Sequence, residues 1–254
     1  MTAVLRPLLV AWQFLTAIPL SRHHHDPMPG DLAASMMWYP LVGFLLGAGL
    51  AVVDLLMAGL FPREVTAIIL MIVLVAMTRG LHQDGLADTF DGLAGGRTFT
   101  ERLTIMRDPR IGAIGGTGLC LSLLLRYATL VTLPDGLRTS ILLCMPAVGR
   151  WSMASGAYGA SYARPGGGLA APFLDHLKAG HLVVATISVF FLLAWSFGIV
   201  LAVLIVLISG AVCRALTFAY VRYFGGITGD TLGATNEIVE LVFLVSIPVL
   251  SRWP

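Results

Sequence analysis

The chain has 254 residues, 57% hydrophobic and only 12% charged, with a formal net charge of +2. A soluble domain normally carries about 25% charge, so the composition excludes an ordinary soluble enzyme and points to a membrane protein. The mild charge gives no footprint for nucleic acid. Cys120, Cys144 and Cys213 lie in apolar stretches, so neither a disulfide framework nor a structural zinc site is expected; they read as small buried residues.

Residues 3–20 are hydrophobic but lack a basic start and a cleavage site. They read as a retained interfacial helix within an N-terminal segment, 1–35. His23, His24 and His25, beside Asp26, cannot share one helical face and read as a solvated loop. A hydrocarbon core of about 30 Å needs about 20 apolar residues. Spans are expected over residues 36–61, 65–77 continuing towards 81, 113–133, 141–158, 182–195, 198–215 and 238–250. Phe61-Pro62, Leu133-Pro134-Asp135-Gly136, Arg164-Pro165-Gly166 and a tight turn at Trp195-Ser196-Phe197-Gly198 separate them. The fold class is therefore all-α, a polytopic membrane helix bundle of about seven transmembrane helices, forming one catalytic domain over 1–254. No internal repeat is evident.

Basic residues orient the bundle. With the N-terminus cytoplasmic, the inner side receives Arg6, Arg22, Arg79, Arg97, Arg102, Arg107, Arg110, Arg164, Lys178, Arg214 and Arg222. The outer side receives only Arg63, Arg138 and Arg252. Asp54, Arg126 and Arg150 fall inside spans, where charge is costly, so each should face protein or water. Arg150 could reach an anionic substrate, whereas the partner of Arg126 is not readable.

The richest polar region, 79–112, opens with Leu81-His82-Gln83-Asp84-Gly85-Leu86-Ala87-Asp88-Thr89-Phe90-Asp91-Gly92. On a helix Asp88 lies about 40° from Asp84, and Asp91 about 20° to the other side. Three carboxylates on one face repel, and a divalent cation would offset that repulsion. Hard oxygen donors suit magnesium, manganese or calcium. Next comes Met106-Arg107-Asp108-Pro109-Arg110-Ile111-Gly112-Ala113-Ile114-Gly115. Its guanidiniums match phosphate oxygens, and its glycines lead into a helix start that favours an anion. The third element, Gly229-Asp230-Thr231-Leu232-Gly233-Ala234-Thr235-Asn236-Glu237, places Asp230 and Glu237 on one face. Gly229 and Gly233 have the spacing of close helix contact. In the plainer alternative, Asp230 caps this helix and Glu240 is solvated.

These three segments, with Phe14-Leu15-Thr16-Ala17-Ile18-Pro19-Leu20, resemble the cobalamin synthase (adenosylcobinamide-GDP ribazoletransferase) family, in order and over nearly the whole chain. Gln83, Pro109 and Ala17 depart from the family pattern without removing a proposed ligand. The resemblance implies a Mg²⁺-dependent phosphoryl transfer in the cell inner membrane. A ribose hydroxyl of α-ribazole, or of its 5′-phosphate, would attack adenosylcobinamide-GDP at a site facing the cytoplasm, and GMP would leave. Asp84, Asp88, Asp91 and Asp108 are then the metal ligands. Arg79, His82, Arg107, Arg110, Arg150 and Asn236 contact substrate, and Asp91 or Glu237 is the base. The partners are the two substrates and the lipid bilayer, without nucleic acid; a homo-oligomer is compatible with the sequence. Two rivals remain. A CDP-alcohol-type membrane phosphotransferase shares the Asp84-to-Ala87 stretch but has Arg where Asp88 stands. An ion-coupled transporter would be expected to show paired repeats.

Overall fold

The computed structural model describes residues 5–20 and 27–251. The histidine run with Asp26, and the charges Arg22 and Arg252, lie outside the described residues. The helices are α1 (Leu5–Leu15), α2 (Pro29–Ser35), α3 (Tyr39–Met57), α4 (Arg63–Thr78), α5 (Leu81–Ala94), α6 (Phe99–Ile105), α7 (Ala113–Thr132), α8 (Asp135–Ala157), α9 (Ala171–Asp175), α10 (Ala179–Phe197), α11 (Ile199–Phe224) and α12 (Gly229–Leu250). A 3₁₀ turn, Met36–Trp38, joins α2 to α3. Among the described residues no strand forms, and Tyr162 and Ile227 make one isolated parallel bridge.

Each of the seven apolar stretches lies on a long helix, so the all-α bundle is as expected. The count is less simple. Pro29–Met57, α7, α10, α11 and α12 are long and apolar enough to cross a membrane, and α4 with α5 adds a sixth if that bent pair is one span. The remaining long helix, α8, is packed among α3, α10, α11 and α12. Every residue from Cys144 to Ala157 is buried. A helix sheathed by protein has no need of a uniformly apolar surface, so hydropathy alone undercounts it. The turn near Trp195 is tighter than expected: α10 runs through Phe197, and Gly198 alone, at φ 84°, reverses the chain.

Helices α3 and α8 share the most extensive contact among the described helices. Pro146 within α8 has no N–H to give the Leu142 carbonyl. Gly43 and Gly47 bring α3 against this region. A Cβ on Gly47 would overlap the carbonyls of Leu142 and Leu143, and one on Gly43 that of Pro146. Further along, the Asp54 carboxylate accepts from Arg138 Nε at 2.8 Å and from its NH2 at 2.7 Å, while NH1 donates to the Leu130 carbonyl at 2.7 Å. Asp54 and Arg138 thus satisfy each other and tie α3, α7 and α8 together.

Large apolar side chains cover the outer faces: Trp195 and Val200 are each 74% exposed, the surface that lipid covers. Cys144 and Cys213 are buried as expected, but Cys120 is exposed on α7. A membrane inverts the usual rule, because an apolar thiol meets no penalty on a lipid-facing surface.

Candidate active site

At Arg79 and Gly80 the chain adopts two successive left-handed conformations, φ 56° and 67°. Arg79 is the only such residue other than glycine among those described, and strain of this kind collects at functional positions. The result is a 90° bend between α4 and α5. Helix α5 therefore runs at a right angle to α4. It packs on α12 through Gly85: a Cβ there would stand 2.6 Å from the Asp230 carbonyl oxygen. His82, Gln83, Leu86 and Ala87 of α5 are buried as well.

Asp84 and Asp88 on α5 line a cavity of about 850 Å³. Arg79, Arg107 and Asp108 line the same cavity, with Phe14 and Thr16 at its rim. The N-terminal segment is pinned there by the Ala17 N–H, which donates to the Met77 carbonyl at 2.7 Å. Loss of hydration, then the charges of Asp84 and Asp230, push the Asp88 carboxyl up to about 7, with Arg164 opposing and Asp91 adding to the rise. Asp108 is the reverse case. Arg110 forms a bidentate pair with it, Nε to Oδ1 at 2.9 Å and NH2 to Oδ2 at 2.7 Å, and holds its carboxyl down at about 2.

Asp91 stands apart from this cavity. Its carboxylate accepts from the Gly112 N–H and the Gly115 N–H, both at 2.7 Å. The anion at the start of α7 is thus a side chain of the protein, and each oxygen of the expected ligand and base accepts one N–H of this cap. Asp91→Ala is expected to cost about 1–2 kcal/mol of stability, read as a lower thermal midpoint of the solubilised protein. Unchanged melting would dispose of the capping role.

Glu237, Asn236, Arg150 and His82 also lie off the cavity, in a buried network beneath α5. Arg126 on α7 donates to Glu240 at 2.7 Å and to Glu237 at 2.8 Å. Arg150 on α8 pairs with Glu240, and its NH2 stands 3.3 Å from His82 Nδ1 on α5. Asn236 donates to Glu240 at 3.2 Å. Glu240, read in the plainer alternative as solvated, is 0% exposed. The sequence missed it as the hub, although its i+3 spacing from Glu237 put both on one face. Asp230 was also passed over as part of the acidic field; it faces Asp84 and Asp88 across the Gly85 contact while bonded to Arg164 at 2.6 Å.

The donor set fits a small hard cation. Asp84 and Asp88 sit one turn apart on a shared cavity wall, and loss of hydration, with crowding of negative charge added to it, raises the Asp88 carboxyl; a bound dication would oppose both. Among the described residues no three His, Cys, Asp or Glu side chains form a closed cage. Magnesium needs none: it keeps several waters and takes one or two carboxylates plus substrate phosphate.

Comparison with known proteins identifies the family. The family model described as cobalamin-5-phosphate synthase matches residues 7–248. An adenosylcobinamide-GDP ribazoletransferase of Syntrophobacter fumaroxidans is 39% identical over 219 residues, 85% of this chain and 87% of that protein. The enzyme of that name from Pseudomonas fluorescens is 39% identical over 244 residues, covering 95% and 98%. That of Desulforamulus reducens is 35% identical over 240 residues, covering 94% and 95%. No solved structure matches. With the match running through all three polar segments and nearly every helix, this chain belongs to the cobalamin-5-phosphate synthase family.

Proposed function

We propose that the chain joins α-ribazole, or its 5′-phosphate, to adenosylcobinamide-GDP, giving adenosylcobalamin or its 5′-phosphate and GMP. One observation carries the chemical reading. Asp84 and Asp88 share a cavity with Arg79 and Arg107, guanidiniums that have no carboxylate partner among the described residues. The guanidiniums neutralise a diphosphate directly, and the carboxylates would do so through a divalent cation held between them and the phosphates.

The ribose hydroxyl oxygen forms a bond to the phosphorus on the aminopropanol arm, the P–O bond to GMP breaks, and the hydroxyl proton is released. Phosphoryl transfer asks chiefly for positioning and charge neutralisation. Arg79 and Arg107 hold phosphate oxygens. Asp84 and Asp88 would hold Mg²⁺, which would supply charge stabilisation for the phosphate groups. Arg110 keeps Asp108 ionised at the cavity wall. Neither Asp91 nor Glu237 is the base in this reading, since each is engaged elsewhere. His82, Arg150, Asn236 and Glu237 fix α5 against α12 instead of touching substrate. The basic residues gathered around the cavity end support an inner-membrane enzyme whose site faces the cytoplasm.

The test is GMP release by purified protein in liposomes with both substrates. CMP release from a CDP-linked alcohol would favour the rival phosphotransferase, and uptake into sealed vesicles without product would favour a transporter. Mg²⁺ titration adds a sign. Metal needs the Asp88 carboxylate, so proton and metal compete. With Asp88 at about 7 in the metal-free site, the Mg²⁺ concentration for half-maximal activity should rise about tenfold from pH 8 to pH 6. A pH-independent requirement would remove Asp88 from the ligand set.

A further inference from the structure

A second cavity, of about 490 Å³, opens between α6, the 163–165 loop and the end of α11. Its size falls in the range of small-ligand sites. Its apolar wall is Phe99, Leu103 and Phe224; its basic groups are Arg107 and Arg164. Arg107 lines this cavity and the larger one alike, so the two meet at that side chain. Phe99 is 51% exposed, with its ring against Gly225. Its place at the start of α6 is set by a capping box: the Glu101 N–H donates to Thr98 Oγ1 at 3.2 Å, and the Thr98 N–H donates to Glu101 at 3.3 Å. Arg164 bonds to Asp230 through NH2, and its Nε is buried with no partner. A held but uncovered aromatic ring, flanked by one unpaired and one half-satisfied guanidinium, matches a flat heterocycle attached to a phosphorylated sugar.

We propose that this cavity is the subsite for an aromatic base on a phosphorylated ribose, the base stacking on Phe99 and the phosphate reaching Arg107 and Arg164. The inference rests on the transferase reading, because that reaction brings together two molecules that each carry such a group, the guanosine of the donor and the lower-base nucleotide of the acceptor. The acceptor fits the better: seated here, its ribose lies beside Arg107 and directs a hydroxyl towards the cavity of Asp84 and Asp88.

The experiment uses full-length Phe99→Ala and Phe99→Tyr in liposomes, varying α-ribazole 5′-phosphate at saturating donor, then the donor at saturating acceptor. Loss of one base–aromatic stack raises KM about tenfold or more. Phe99→Ala should show that rise for the nucleotide occupying the cavity, with kcat within about twofold, and Phe99→Tyr should restore it. A rise for α-ribazole 5′-phosphate assigns the acceptor; a rise for the donor assigns guanosine. Unchanged KM for both overturns the subsite. Equilibrium binding of α-ribazole 5′-phosphate and of GMP to the same variants gives the answer without turnover. Should wild-type protein release no GMP, the transferase reading fails, while Phe99-dependent binding of either nucleotide would still uphold the subsite.

Discussion

Asp84→Asn and Asp88→Asn should each cut GMP release by about a thousandfold or more while the protein still folds and inserts. Each change keeps side-chain volume and removes a charge, so packing of α5 on α12 through Gly85 is untouched. What is lost is a carboxylate facing the shared cavity. Charge stabilisation by a bound metal is worth several kcal/mol at the transition state, and each 1.4 kcal/mol is about tenfold in rate. Asp91→Asn makes an informative contrast. Its parent carboxylate caps α7 through Gly112 and Gly115, so its deficit should appear in thermal stability more than in kcat. Near-normal turnover of Asp84→Asn at saturating Mg²⁺ would end the metal assignment.

Glu240→Gln should be the most damaging change away from the cavity, with a low yield of folded protein. The carboxylate is 0% exposed and serves both Arg126 and Arg150. Together with Glu237 it leaves the cluster electrically balanced, two guanidiniums against two carboxylates. Neutralising one carboxylate strands a positive charge in the bundle interior, at a cost of about 3–5 kcal/mol. Monodispersity in size-exclusion chromatography and thermal midpoint are the readouts. Removing a guanidinium as well, in Glu240→Gln with Arg126→Leu, should recover part of the loss, because charge balance returns. A fully stable Glu240→Gln would show that the network does not hold these helices.

The bundle was legible in the sequence because lipid imposes long apolar stretches, and each of the seven stretches lies on a helix. The exception in composition, α8, is instructive: its burial came from neighbours that no local window can see. The shared face of Asp84 and Asp88 was readable from helical spacing, since both lie on one unbroken helix. The same spacing could not show what Asp91 meets. It sits near the C-terminal end of α5, where the returning chain brings the first N–H groups of α7 onto it from more than twenty residues away. Pairing between helices was the least visible. Asp54 finds Arg138 and Arg126 finds Glu237 across distances in sequence that carry no periodic signal.

The right-angled turn at Arg79 and Gly80 has an electrostatic consequence. Had α4 continued straight, Asp84 and Asp91 would be separated by about 10 Å along the bundle axis, each under a different polarisability of surroundings. Laid sideways, the acidic row occupies one level. A charged ligand entering the cavity then meets Asp84 and Asp88 broadside, without travelling deeper to reach the second.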